Sequence, residues 1–192
     1  MRIQLASIGD VERFSRRRFG RIAAAAVAAS PLALAFDHPG THDVSEGPAY
    51  KPGAPFRSEI IDPGSPGTRF LLRGRVFSTT DRPLREATVD LWNVQNSKVY
   101  DFAGFNLRGR QLTDKEGRFQ FLTIEAIPYS SRTAHFHFKV SAPGHEPLTT
   151  ELYLPGIREN TRDSSFRTSN LLQTVDEAGI RKGNYEFYLA PA

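Results

Sequence analysis

The sequence predicts an all-β protein, an antiparallel β-sandwich with long loops and an extended N-terminal arm. Three observations carry that expectation. Short runs of β-branched and aromatic residues recur at regular intervals, turn chemistry bounds each run, and amphipathic helical periodicity is almost absent. At 192 residues the chain suits one domain with a sizeable core.

Residues 1–35 read as an address rather than as part of the fold. Ser15-Arg16-Arg17-Arg18-Phe19-Gly20-Arg21 precedes a weakly apolar, alanine-rich run over 22–35 that ends in Ala33-Leu34-Ala35, small residues where a signal peptidase reads. The pattern resembles a twin-arginine signal peptide. It implies transient engagement of the twin-arginine export machinery, cleavage after Ala35, and a periplasmic or extracellular destination. The net charge of +4 also resides there, because Arg2, Arg13, Arg16, Arg17, Arg18 and Arg21 face only Asp10 and Glu12 and the remainder is balanced. A neutral body lacks the concentrated basic surface that phosphate backbones require, so no nucleic-acid partner is expected.

Residues 36–68, rich in Pro and Gly and without a helical period, are expected to form an extended arm. The domain over 69–192 follows, with strands expected at 70–77, 88–94, 118–124, 134–141, 148–154 and 185–189. Asp81-Arg82-Pro83, Asp114-Lys115-Glu116-Gly117 and Ala142-Pro143-Gly144 supply turns between them. The one helical candidate is 170–178, and the polar, patternless stretch 160–168 is expected to be a surface loop. The balanced body with scattered aromatics fits a monomer or a homo-oligomer.

The absence of cysteine excludes disulfides, thiolate metal sites and thiol nucleophiles, so any metal must be held by nitrogen and oxygen. Of five histidines, His135 and His137 alternate with Phe136 and Phe138. On a strand, residues i and i+2 share a face, so the two imidazoles converge while the phenylalanines enter the core. Tyr129 lies shortly before this pair, and Tyr100 follows the strand ending at Leu91-Trp92-Asn93. Phenolate and imidazole together suit a hard trivalent ion better than zinc, which makes ferric iron the natural candidate. Arg132 lies three positions before His135, so on an uninterrupted strand it would point to the opposite face.

The segments Asn106-Leu107-Arg108-Gly109-Arg110, Thr113 through Phe121, Arg132 through Phe138, and Leu148-Thr149-Thr150-Glu151-Leu152-Tyr153 occur in an order that resembles the intradiol ring-cleavage dioxygenases, the catechol and protocatechuate dioxygenases. The resemblance covers about residues 69–156. It implies a prealbumin-like catalytic sandwich with non-haem Fe(3+) held by Tyr100, Tyr129, His135 and His137. It further implies that Tyr129 gives way when an aromatic diol binds, that Arg132 stabilises negative charge on the ring, and that O2 cleaves the ring to a muconate-type diacid. Glu151 stands where the family's strand motif commonly has glutamine, and the Tyr129 to His135 span is the short form.

Two other functions compete. The segments 74–77, 83–84, 87–91 and 114–121 also resemble prealbumin-like repeats of non-catalytic binding modules. Alternatively, His135 and His137, helped by His38 and His42 of the arm, would make a periplasmic copper or zinc binder. His38, His42 and His145 otherwise read as solvent-exposed loop residues.

Overall fold

Residues 37–192 are described by the structure, a computed structural model; the signal peptide expected over 1–35 and its cleavage site lie outside the described residues. The strands in chain order are β1 Arg69–Ser78, β2 Thr88–Trp92, β3 Arg108–Leu112, β4 Arg118–Ile124, β5 His135–Ser141, β6 Leu148–Tyr153, β7 Gln173–Glu177 and β8 Ile180–Leu189. They make two four-stranded sheets, ordered β4-β1-β8-β7 and β3-β2-β5-β6. The pairings are antiparallel except that of β1 with β8, which run parallel.

Strand alternation builds the core. Phe70, Leu72 and Val76 of β1 point inward, while Leu71, Arg73 and Arg75 between them are only partly buried. Phe136, Phe138 and Val140 of β5 face them from the other sheet. Phe70 stacks on Phe136 with ring centroids 5.2 Å apart, and Phe138 meets Phe187 at 5.1 Å. Each such side chain, fully buried, contributes about 1.5–3 kcal/mol relative to exposure. The consequence for the site is directional: with Phe136 and Phe138 committed to the core, His135 and His137 lie on the outer face of their sheet.

That outer face is covered by the arm. Tyr50 of the arm meets Trp92 there at 4.9 Å, Val44 N–H bonds Thr149 O at 2.7 Å and Phe56 bridges Arg110 of the same sheet, while Glu59 bridges Leu122 of the other. The arm buries Ala49, Ala54, Ile60 and Ile61 against the sandwich.

The structure corrects two expectations. Residues 170–178 contain no α-helix; β7 there forms a hairpin with β8 through Ala178 and Gly179, both at positive φ (53° and 78°). Positive φ at both central residues is what a tight two-residue hairpin turn requires. The loop over 160–168 is not wholly at the surface, because Asn160 and Asp163 are buried. A short 3-10 turn, Arg158–Arg162, turns Asn160 inward, where its amide carbonyl accepts from Thr133 Oγ1 at 2.6 Å.

Candidate metal centre

Cross-strand register assembles one half of the site. In the second sheet His137 lies opposite Trp92 on one side and Glu151 on the other, and His135 lies opposite Tyr153. Trp92 stacks flat on His137, ring centroids 4.9 Å apart and planes within 2°. Two loops supply the other half. The segment after β2 carries Tyr100, and the segment before β5 carries Tyr129.

The first loop is fastened from behind by two cations. Lys51 Nζ donates to the carbonyls of Phe102, Ala103 and Gly104 at 3.1, 2.9 and 3.0 Å. Buried Arg108 donates to Asp101 O at 2.9 Å and to Ala49 O at 2.7 Å. The second loop closes on itself at Ser130-Ser131, with Ser130 at φ 51° and Tyr129 and Arg132 exchanging backbone bonds. This reversal brings Arg132 to the site side of the sheet, which an uninterrupted strand would not do.

Four donor atoms meet where these parts converge. Tyr100 Oη lies 2.9 Å from Tyr129 Oη and 2.9 Å from His137 Nε2, and the two histidine Nε2 atoms are 3.1 Å apart. Donors held by one ion at roughly 2.0–2.2 Å and at right angles lie about 3 Å from one another. The spacing therefore matches a shared ion.

Proton bookkeeping points the same way. His135 Nδ1 is 2.7 Å from Thr133 O, so Nδ1 carries the hydrogen and Nε2 presents a lone pair. Burial depresses the His135 pKa and, together with the neighbouring His135, Arg132 and Arg108, holds that of His137 well below its ordinary value. Both rings are thus neutral, as ligands must be. Burial first, then the hydrogen bond to Tyr129, pushes the Tyr100 phenol far up. A phenolate at that position requires a cation beside it. Among the described residues His135, His137 and Glu151 also group closely enough to hold a metal. Glu151 Oε1 lies on the Nδ1 side of His137 at 3.5 Å and 4.0 Å from His135 Nε2, farther than the 2.9–3.1 Å that separate the two phenol oxygens and the imidazole Nε2 atoms along the cluster.

A web of ion pairs frames the site. Arg132 donates through Nη2 to Glu151 Oε2 and through Nε to Asp163 Oδ2 at 2.9 Å. Tyr153 Oη donates to Glu151 Oε2 at 2.6 Å, and Asp163 also accepts from the Thr133 N–H at 2.9 Å. Burial alone would lower Arg132, but Glu151 and then Asp163 outweigh it and keep the guanidinium firmly charged.

His38 is not part of this cluster. It pairs with Asp81 at 3.0 Å and stacks on Tyr188. A cleft of about 1240 Å³ opens over β1, β4 and β8 beside His38 to His42, and contains none of the four donors. Donor chemistry, rather than cavity size, locates the site.

The family model described as Dioxygenase matches residues 45–178, a span that holds all four donors with Arg132, Glu151 and Asp163. The chain belongs to the dioxygenase family of the intradiol ring-cleaving type. It is 33% identical over 172 residues to catechol 1,2-dioxygenase 2 of Acinetobacter lwoffii, an alignment covering 76% of this chain and 62% of that protein. To the chlorocatechol 1,2-dioxygenase of Rhodococcus opacus it is 29% identical over 171 residues, covering 73% and 66%. The chain therefore spans less than two-thirds of the length of these curated relatives. Among solved structures, the dioxygenase domain of a dioxygenase and carbohydrate-binding protein fusion from Streptomyces sp. SirexAA-E superposes with a TM-score of 0.76 at 36% identity. That match covers 80% of this chain and all of the other.

Sequence reasoning missed several residues that shape the centre of this family member. Trp92 is the single tryptophan, and pairing the expected strands 88–94 and 134–141 would have set it beside His137. Asp163 and Asn160 carry no such signal, because nothing in a polar loop marks which carboxylate or amide turns inward.

Proposed function

We propose that the chain is a non-haem Fe(III)-dependent intradiol dioxygenase that cleaves catechol-type rings between the two hydroxyl carbons with O2, giving muconate-type diacids. The convergence of Tyr100, Tyr129, His135 and His137 carries this reading, and membership of the family supports it. These four residues would hold the iron. Bound ferric ion would supply Lewis-acid activation of the diol and a template for its meeting with O2.

The protein's own groups divide the remaining work. His135 and His137 stay neutral because they are buried and because Thr133 O fixes the His135 tautomer. Tyr100 is buried and locked in the fastened loop, whereas Tyr129 is only partly buried and sits on a two-residue reversal. Tyr129 is therefore the donor free to swing aside, its Oη taking up a diol proton as it goes. Arg132, held charged by its two carboxylates, stabilises negative charge that builds on the ring. The leader over 1–35 leads us to infer export by the twin-arginine route, and the intact mass of exported protein would report cleavage after Ala35.

The decisive test is oxygen uptake with a panel of catechols, coupled to detection of a ring-opened diacid. One O2 consumed per ring opened is expected. No uptake with any diol by the iron-loaded protein would leave a binding module as the better reading.

A further inference from the structure

The charge around Arg132 names the kind of diol this site accepts, an inference that rests on the ring-cleavage reading. Arg132 is one cation between two carboxylates, Glu151 and Asp163. Asp163 has a structural reason to be there, because it also accepts the backbone N–H groups of Thr133 at 2.9 Å and Ser165 at 3.0 Å. Glu151 is different. Its side chain is 4% exposed, its Oε2 takes Arg132 and the Tyr153 hydroxyl, and its Oε1 points at the donors, 3.5 Å from His137 Nδ1 and 4.0 Å from His135 Nε2.

Two results follow. Nε and Nη2 of the guanidinium are each taken by a carboxylate, so its charge is shared before a ring arrives, and the ion-pair cluster as a whole carries one negative charge in excess, which opposes a second, ring-borne carboxylate. The cations beyond Tyr100 are tied to the backbone: Lys51 to three loop carbonyls, and Arg108 through Nε and Nη1 to those of Asp101 and Ala49, its buried Nη2 alone having no partner. Phe102, its ring centroid 6.4 Å from that of Tyr100, is 60% exposed and adds an apolar surface beside the tyrosine.

We propose that Glu151 is a specificity-determining residue that makes this site select uncharged diols over ring-carboxylated ones, by giving the cluster around Arg132 its excess negative charge and setting that carboxylate beside the histidines. Discrimination of this kind works by repulsion as much as by attraction. A glutamine at position 151 would remove the excess charge and leave Arg132 balanced by Asp163 alone.

The test uses the full ferric-loaded chain without oxygen, following the visible spectrum as diol is added, so that affinity is read independently of turnover. Catechol, protocatechuate and protocatechuate methyl ester are the probes, the last two differing in charge at nearly equal size. The wild-type protein should bind the ester at least about tenfold more tightly than the acid, close to 1.4 kcal/mol. Glu151→Gln should bring that ratio towards unity by improving the acid relative to both the ester and catechol. Equal affinity of the wild type for acid and ester overturns the proposal whether or not the variant folds. So does a variant that weakens all three ligands alike, which is the mark of a merely structural role. No spectral response to any diol would overturn the ring-cleavage reading and this inference with it, whereas a response to acid and ester alike overturns this inference only.

Discussion

Replacing Asp163 by Asn is the sharpest probe of how a polar loop supports the site. The Asp163 side chain is 1% exposed and accepts three hydrogen bonds, from Arg132 Nε, Thr133 N–H and Ser165 N–H. An amide has one acceptor oxygen, and its NH2 faces donors, so at least one buried N–H loses its partner at about 1–3 kcal/mol. The charge-assisted bond to Arg132 is lost too, but that side chain is 26% exposed and water replaces part of it. The net cost is about 2–4 kcal/mol, equivalent to a fall in Tm of roughly 5–15 °C for a chain of this size. The pH dependence has a definite sign. Burial would raise the Asp163 carboxyl, but the Thr133 N–H, the Arg132 guanidinium and the Ser165 N–H outweigh it and hold it below its ordinary value. A depressed carboxyl stabilises the fold above its unfolded pKa of about 3.9, and that contribution is lost as pH falls through the folded value. Thermal unfolding of parent and Asp163→Asn should thus differ most near neutrality and converge in acid. A variant melting within about 1 °C of the parent at pH 7, or a gap unchanged down to pH 3, would refute this reasoning.

Other perturbations test other parts of the structure. Asp90, buried beside Arg110 and Lys139, has its carboxyl raised to about 6, burial outweighing both cations. A raised folded pKa gives stability that is present below the unfolded value and lost as pH rises through about 6. Asp90→Asn should therefore gain roughly 1–2 kcal/mol over the parent at pH 7 and little at pH 4, by denaturant titration. At Gly74 a Cβ would come within 2.4 Å of Tyr185 O and 2.6 Å of the Phe119 ring, so Gly74→Ala must push β8 off β1. A loss of about 1–3 kcal/mol is expected in the same assay. Phe136→Ala empties the centre of the core opposite Phe70, and should cost about 3–5 kcal/mol by thermal or chemical unfolding.

How much of this was legible in the sequence depended on whether burial leaves a periodic trace. The strands whose residues alternate between core and exterior, such as Phe70 to Phe77 and the His-Phe-His-Phe run, announce themselves. β3 does not, because Arg-Gly-Arg-Gln-Leu is charged and its outer side is covered by the arm. The helical candidate over 170–178 holds β7 instead. It is an edge strand with mostly exposed residues, made a strand by β8, and its Ala-Gly turn is a poorer signal than Asn-Gly. At the site, His135 and His137 followed from strand geometry, whereas the bend that turns Arg132 inward depends on one positive φ at Ser130. The carboxylates that hold Arg132 come from β6 and from a loop beyond it, and only the folded chain brings them to one guanidinium.

A ferric ion bound by two phenolates absorbs visible light by charge transfer, so titration of the folded protein with ferric iron, read in the visible, addresses the four-donor centre most directly. A coloured complex saturating near one iron per chain is predicted. Its band should be altered or lost in Tyr100→Phe and in Tyr129→Phe, and kept in a surface variant such as Arg85→Ala. A protein that stays colourless with iron, or a band indifferent to both tyrosine replacements, would contradict a centre built from Tyr100, Tyr129, His135 and His137.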